Sequence, residues 1–230
     1  MLGQTEPHCL TPSILDNEMA TYLDLKDEVT NQLGADDANI SVARRDKIIN
    51  QARRQYHSEH RWSFLKKTEN INLTNRVGQL PADYNTRFRP NMVFTNLGGR
   101  PVYFMPVDWD TVESYTEGFN VYAIQTSTNQ IKINRQSVGT ISVSYQLMPA
   151  DRPLDNSQDN QNELSPMIST IALLAVAKWW LASERATGKY QLFKEEYDRA
   201  LALDKASDMS NEPIVPILPL IQSDNNRIGV

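Results

Sequence analysis

The chain has 230 residues, 40% of them hydrophobic, with one cysteine and a formal net charge of −5 from 23 basic and 28 acidic side chains. That much apolar material can build a real core and excludes a disordered chain. The lone Cys9 excludes an internal disulfide framework or a thiolate zinc site of its own, and no run of about 18 apolar residues is present to span a bilayer.

The opening Met1-Leu-Gly-Gln-Thr-Glu lacks the basic-then-apolar order of a secretory signal, so the protein is expected to stay in the cytoplasm where it is made. Residues 1–16 hold Pro7 and Pro12 with little periodicity and are expected to form an extended arm. From Asn17 the pattern turns helical. Met19, Tyr22, Leu23, Val29 and Leu33 recur at helical spacings, and Gly34 follows as a stop. Ser41 suits the cap of a second helix running to about His60, with Val42, Ile48, Ile49, Ala52 and Tyr56 as its apolar stripe.

This second helix sits in the one basic stretch of the chain. Residues 40–67 carry eight bases against two acids, a local +6 that leaves −11 for the remainder. Arg44, Arg45, Lys47, Arg53 and Arg54 form a candidate face for an acidic neighbouring subunit or for DNA phosphate. Only Tyr56 and Trp62 lie near enough to add aromatic stacking, which argues against sequence-specific DNA reading.

The middle of the chain changes period. Trp62 and Phe64, Ile71 and Leu73, Val102 and Phe104, Ile131 and Ile133, then Ile141, Val143 and Tyr145 alternate with other residues as strands do. Turn residues separate them at short intervals, which predicts an antiparallel sheet or small sandwich. A brief helical turn is expected between Pro106 and Tyr115.

Asp151, Asp155, Asp159 and Glu163 recur every four residues. The calcium-loop pattern counted from Asp155 fails, with Asn160 in place of its glycine and Pro166 in place of its glutamate, so a hydrated loop is expected. Ser165-Pro166 then opens a third helix, in which Ile168, Ile171, Ala172, Ala175, Trp179 and Ala182 form a stripe that neighbouring Leu and Val broaden. Gly188 is expected to end it, and Tyr190, Phe193, Tyr197, Ala200 and Leu201 make a fourth helix to about Lys205.

The chain closes on Pro213-Ile214-Val215-Pro216-Ile217-Leu218-Pro219-Leu220-Ile221. Proline at every third position removes backbone donors and fixes φ near about −65°, so the stretch is neither helix nor central strand. An extended strap with six large aliphatics needs a surface to lie against.

The fold class expected is therefore α+β, a four-helix bundle with an antiparallel β insertion between the helix pairs and extended arms at both ends. Its parts are an arm at 1–16, a bundle from 17–61 and 164–206, the β-rich insertion at 62–150, the polar loop at 151–163 and a C-terminal arm at 207–230.

Motifs for catalysis are lacking. The chain holds no nucleophile elbow, phosphate loop, His-Glu-x-x-His or dinucleotide glycine pattern, so neither an enzyme nor a cofactor site is expected. His57 and His60 lie at i, i+3, but Glu59 points to another face, so metal coordination is not expected there.

The order of several segments resembles the head-to-tail adaptor proteins of tailed bacteriophages, also called connector or head-completion proteins. The resemblance is carried by Ala43-Arg44-Arg45 through Ile48-Ile49-Asn50, Arg61-Trp62-Ser63-Phe64-Leu65, Leu80-Pro81-Ala82-Asp83-Tyr84, Gly99-Arg100-Pro101-Val102, Val121-Tyr122-Ala123-Ile124, the strands at Ile131–Ile133 and Ile141–Tyr145, Met148-Pro149-Ala150, and Tyr197-Asp-Arg-Ala-Leu201. It implies a structural virion protein at the head-tail interface that forms a ring, commonly of about twelve copies. Its implied partners are the portal protein, a tail or nozzle protein, and genomic DNA passing through the channel without sequence-specific binding; no membrane is implied. Carried to this chain, the portal-docking arm is Pro213 to Ile221. The alternative is an oligomeric nucleic-acid-binding module using residues 40–67.

Overall fold

The structure, a computed structural model, describes residues 20–34, 41–116, 118–183 and 187–211. Helix α1 (Tyr22–Leu33) starts at a capping box, in which the Thr21 hydroxyl accepts from the Asp24 amide and the Asp24 carboxylate accepts from the Thr21 amide at 2.7 Å. It ends at Gly34, whose φ of 58° a side chain would oppose. Helix α2 (Val42–Ser58) takes Ser41 as its cap and buries Ile48, Ile49, Ala52 and Tyr56.

Helix α3 (Ile168–Ser183) is apolar nearly all round, burying Ile171, Ala172, Leu174, Ala175, Val176, Ala177, Trp179 and Trp180. Such a helix must be enclosed. Helices α1, α2 and α4 (Thr187–Asn211) each pack extensively on α3. This corrects the expected four-helix bundle with an antiparallel insertion: the described residues form an α+β fold of four α-helices and two four-stranded sheets. The breadth of the α3 surface is the reason, because one helix can serve three partners when no face of it is polar.

Two boundaries also differ from expectation. Gly188 lies inside α4 instead of ending α3, and α4 continues past Lys205 to Asn211. The extra turn has an anchor: the Asp208 carboxylate accepts from the Ser63 amide at 3.1 Å and from the Ser63 hydroxyl.

Ser63–Leu65, expected as strand, is a 3-10 turn. Buried Trp62 stacks on Tyr56 with ring centroids 4.6 Å apart and donates its indole N–H to the Tyr56 carbonyl at 3.0 Å, so packing on α2 takes precedence over sheet pairing.

The strands are β1 (Lys66–Asn72), β2 (Val77–Gln79), β3 (Met92–Leu97), β4 (Arg100–Tyr103), β5 (Met105–Pro106), β6 (Val121–Gln125), β7 (Gln130–Ile133) and β8 (Thr140–Gln146). One sheet, in the order β1-β8-β3-β4, is antiparallel throughout. The other, β2-β7-β6-β5, contains a parallel pair, β5 with β6, contrary to the antiparallel expectation. Parallel neighbours need a crossover of about a dozen residues, and residues 107–120, with a 3-10 turn at Trp109–Ser114, supply it.

Separate cores hold the two portions. Tyr22, Ile49, Tyr56, Trp62, Ile171 and Trp180 belong to the helical core, and Ile71, Tyr84, Ile131, Ile141, Val143 and Tyr145 to the sheet core. Leu147 packs against both, and its amide donates to the Leu65 carbonyl at 2.9 Å, so the chain leaves and re-joins the helices at adjacent points.

Candidate assembly interface

The basic residues of α2 divide by helical phase. Asp46, Asn50, Arg53 and His57, spaced four, three and four apart, form a polar stripe turned inward beside the apolar one, and all four are buried. Arg53 lies on this stripe. Its guanidinium meets Glu163 at 2.7 Å and donates to Asn50 Oδ1 at 3.1 Å.

The remaining bases lie nearer the surface. Exposed Arg44 donates to the Ala182 carbonyl at 3.1 Å, and half-buried Arg45 donates to Thr30 Oγ1 at 3.2 Å. Exposed Arg54 pairs with Asp151 at 2.6 Å, and Lys47 is exposed. The exposed bases of α2 are thus Arg44, Lys47 and Arg54, and Arg53 is not among them. The strap Pro213–Ile221 lies outside the described residues.

The loop expected to be hydrated is instead half drawn into the fold. Asp155 is exposed and binds Ser157 locally, but Asp159 and Glu163 are buried. Lys26 of α1, itself buried, holds Asp159 at 2.8 Å and Asp46 at 3.3 Å. Arg152 flanks Glu163 at 3.5 Å, and its backbone exchanges hydrogen bonds with the Asn50 amide group at 3.0 and 3.1 Å. Backbone bonds from Leu23 to the Asp159 carbonyl (2.6 Å) and from Glu163 to the Ala20 carbonyl (2.6 Å) lay the loop along the start of α1. Charges this deep are tolerated because each has an opposite partner. Burial, and then the Asp46 carboxylate, push the Tyr22 phenol above its usual range, so it stays protonated inside this cluster.

A sequence signal for the cluster did exist. Lys26 is four residues after Tyr22 and three before Val29, and Arg53 is four after Ile49 and three before Tyr56, so both occupy core-facing positions. A base there requires an acid, and the acids recurring every four residues were available.

In the β portion, Tyr103 on β4 (56% exposed), Met105 on β5 (57%) and Phe119 in the connection to β6 (60%) are exposed. The Met105 amide donates to the Asn120 carbonyl at 2.9 Å, which brings Met105 and Phe119 together. Exposed aromatic and methionine side chains grouped in this way suit a protein contact.

Among the described residues no helix is long and apolar enough to cross a membrane, and no group of three His, Cys, Asp or Glu side chains could hold a metal. His60 lies 3.2 Å from Asp208, while neither ring nitrogen of buried His57 has a hydrogen-bond partner.

A family model described as SU10 adaptor protein matches residues 20–216, most of the chain. No curated protein matches it.

Proposed function

This chain belongs to the SU10 adaptor protein family, and we propose that it is the ring that joins portal to tail in a tailed bacteriophage. The family is one of phage structural proteins rather than enzymes; the protein's place is the virion, and its partners are other head or tail proteins. On our reading it closes into a homo-oligomer, a dodecamer, stacked beneath the portal and continuing the channel through which genomic DNA leaves. Assembly takes place in the host cytoplasm.

The observation that carries this reading is the family match, which runs from the start of α1 into the strap. Two features agree with it. The exposed bases of α2 suit the acidic surface of a next copy, since complementary charge sets register around a ring. The strap suits an arm that grips the portal, because a ring engaging many arms at once gains by effective concentration.

Electron microscopy of the purified protein, alone and mixed with its portal, tests the proposal. Rings that cap the portal are expected, and a chain lacking residues 212–230 should fold but fail to join it. A protein that stays monomeric with and without portal would overturn the proposal.

A further inference from the structure

The second sheet has an unfinished edge. β5 pairs with β6 only through Val121 and Tyr122, after which the Val107 amide donates to the Tyr122 carbonyl at 2.8 Å. Alternation along the strand turns the amide and carbonyl of Ile124 to the same side as those of Tyr122, where no strand among the described residues meets them.

This edge opens into a cavity of about 350 Å³, within the range of peptide and ligand sites. Tyr84, Phe88, Arg89, Trp109, Tyr122 and Ile124 line it. Arg89 is exposed and has no acidic partner among the described residues, and the Trp109 indole N–H has no acceptor among them. A single carboxylate, Asp108, offsets Arg89 and its neighbour Arg87 on the lining. The cavity therefore offers aromatic faces and N–H donors and few acceptors.

A ligand that fits is extended, apolar and richer in carbonyls than in amides. Pro213–Ile221 has that chemistry, since three of its nine residues are prolines that keep the C=O and lack the N–H, and aromatic grooves take proline-rich segments in extended form. The chain also ends its described course in the right place. Asp208, in the last turn of α4, binds Ser63 and lies 3.2 Å from His60. Arg61, between those two, stands 5.6 Å over the ring of Phe88, which lines the cavity. Nine extended residues reach about 30 Å.

We propose that, before the protein meets its partner, its own Pro213–Ile221 segment rests in this groove, with proline rings on Phe88 and Trp109, carbonyls on the Arg89 and Trp109 N–H groups, and one residue paired to the Ile124 edge. The groove is then the holster of the docking arm, and it keeps six aliphatic side chains from sticking to other surfaces during assembly. The withdrawal of the arm, though not its resting place, rests on the reading of the strap as a portal grip.

The test places the photo-cross-linker p-benzoylphenylalanine at position 218 of the full-length chain and maps the products by mass spectrometry, with ¹⁴N and ¹⁵N copies mixed. Cross-links of uniform isotope to residues 84–89 or 106–124 are expected, with loss of most of the product in Arg89→Glu, a change at an exposed side chain, and in Pro216→Ala/Pro219→Ala. Mixed-isotope cross-links, or none in the groove, would overturn the proposal. A chain that joins the portal with its groove never labelled refutes the holster alone, whereas a labelled groove in a chain that never binds portal supports the holster and refutes the portal reading.

Discussion

Arg53 of α2 and Glu163, just ahead of α3, meet at 2.7 Å with both side chains buried. Their pairing joins the second helix to the segment that leads into the third, across more than a hundred intervening residues that include both sheets. Removing Arg53 leaves the buried Glu163 carboxylate with only the longer Arg152 contact at 3.5 Å, and breaking a buried pair in this way costs up to about 3–5 kcal/mol. Arg53→Ala is therefore expected to lower the unfolding free energy extrapolated from denaturant titration by up to that amount, and Arg53→Met/Glu163→Leu to recover much of it. An Arg53→Ala chain as stable as the parent would show that the pair contributes nothing.

Acid should weaken the fold through His57. Burial, reinforced by nearby Arg53, lowers its pKa to about 3, so the folded protein keeps this ring neutral. The unfolded chain takes up a proton near the ordinary value of about 6.5. The stabilisation is thus complete above about pH 6.5 and is lost progressively as pH falls towards about 3, at up to about 1.4 kcal/mol per pH unit. Thermal melts at pH 7 and pH 5 should show a smaller acid-induced loss for His57→Phe than for the parent; equal losses would rule out His57 as the source.

Gly78 has no space for a side chain. A Cβ there would come within 2.6 Å of Ile71 Cγ2, 2.8 Å of Leu73 Cδ2 and 3.0 Å of the Asn72 carbonyl oxygen. Because part of that obstruction is backbone, Gly78→Ala should cost about 1–3 kcal/mol by overpacking, with β2 exchanging its amide hydrogens faster. Unchanged unfolding and exchange would contradict the crowding.

The exposed bases of α2 should affect assembly rather than stability. Arg54 and Asp151 pair at 2.6 Å but are each about half exposed, a setting in which ion pairs contribute at most about 1 kcal/mol. The triple variant Arg44→Glu/Lys47→Glu/Arg54→Glu is expected to melt within a few degrees of the parent and to form fewer rings in native mass measurement. Normal rings that lose packaged DNA would instead assign these side chains to the channel.

Helix α2 shows how much could be read from the chain alone. Ser41 as its cap, the start at Val42 and the buried Ile48, Ile49, Ala52 and Tyr56 are local matters of hydrogen bonding and period and stand as expected, whereas Val42, counted in the same stripe, is exposed. The strands around Ile131 and Ile141 were legible for the same reason. Arg53 was not. Its place among the bases suggested an outward role; its phase with Ile49 and Tyr56 marked it as core-facing, but its acidic partner, Glu163, is supplied only by the tertiary structure.

Caps, periodicity and the order of motifs in the chain suffice to locate the four helices, the strands around Ile71, Ile131 and Ile141, and the family, though not the 3-10 turn at Ser63–Leu65. The tertiary structure decided that α3 is enclosed by three helices without a closed bundle, that β5 and β6 run parallel, that the acidic loop is drawn inside, and that an open strand edge is lined by Phe88, Arg89 and Trp109. The division is physical. Caps, turns and periodicity act over a few residues, whereas ion pairs and sheet order depend on which distant segments meet, and near-equal alternatives are separated only when the whole core is packed.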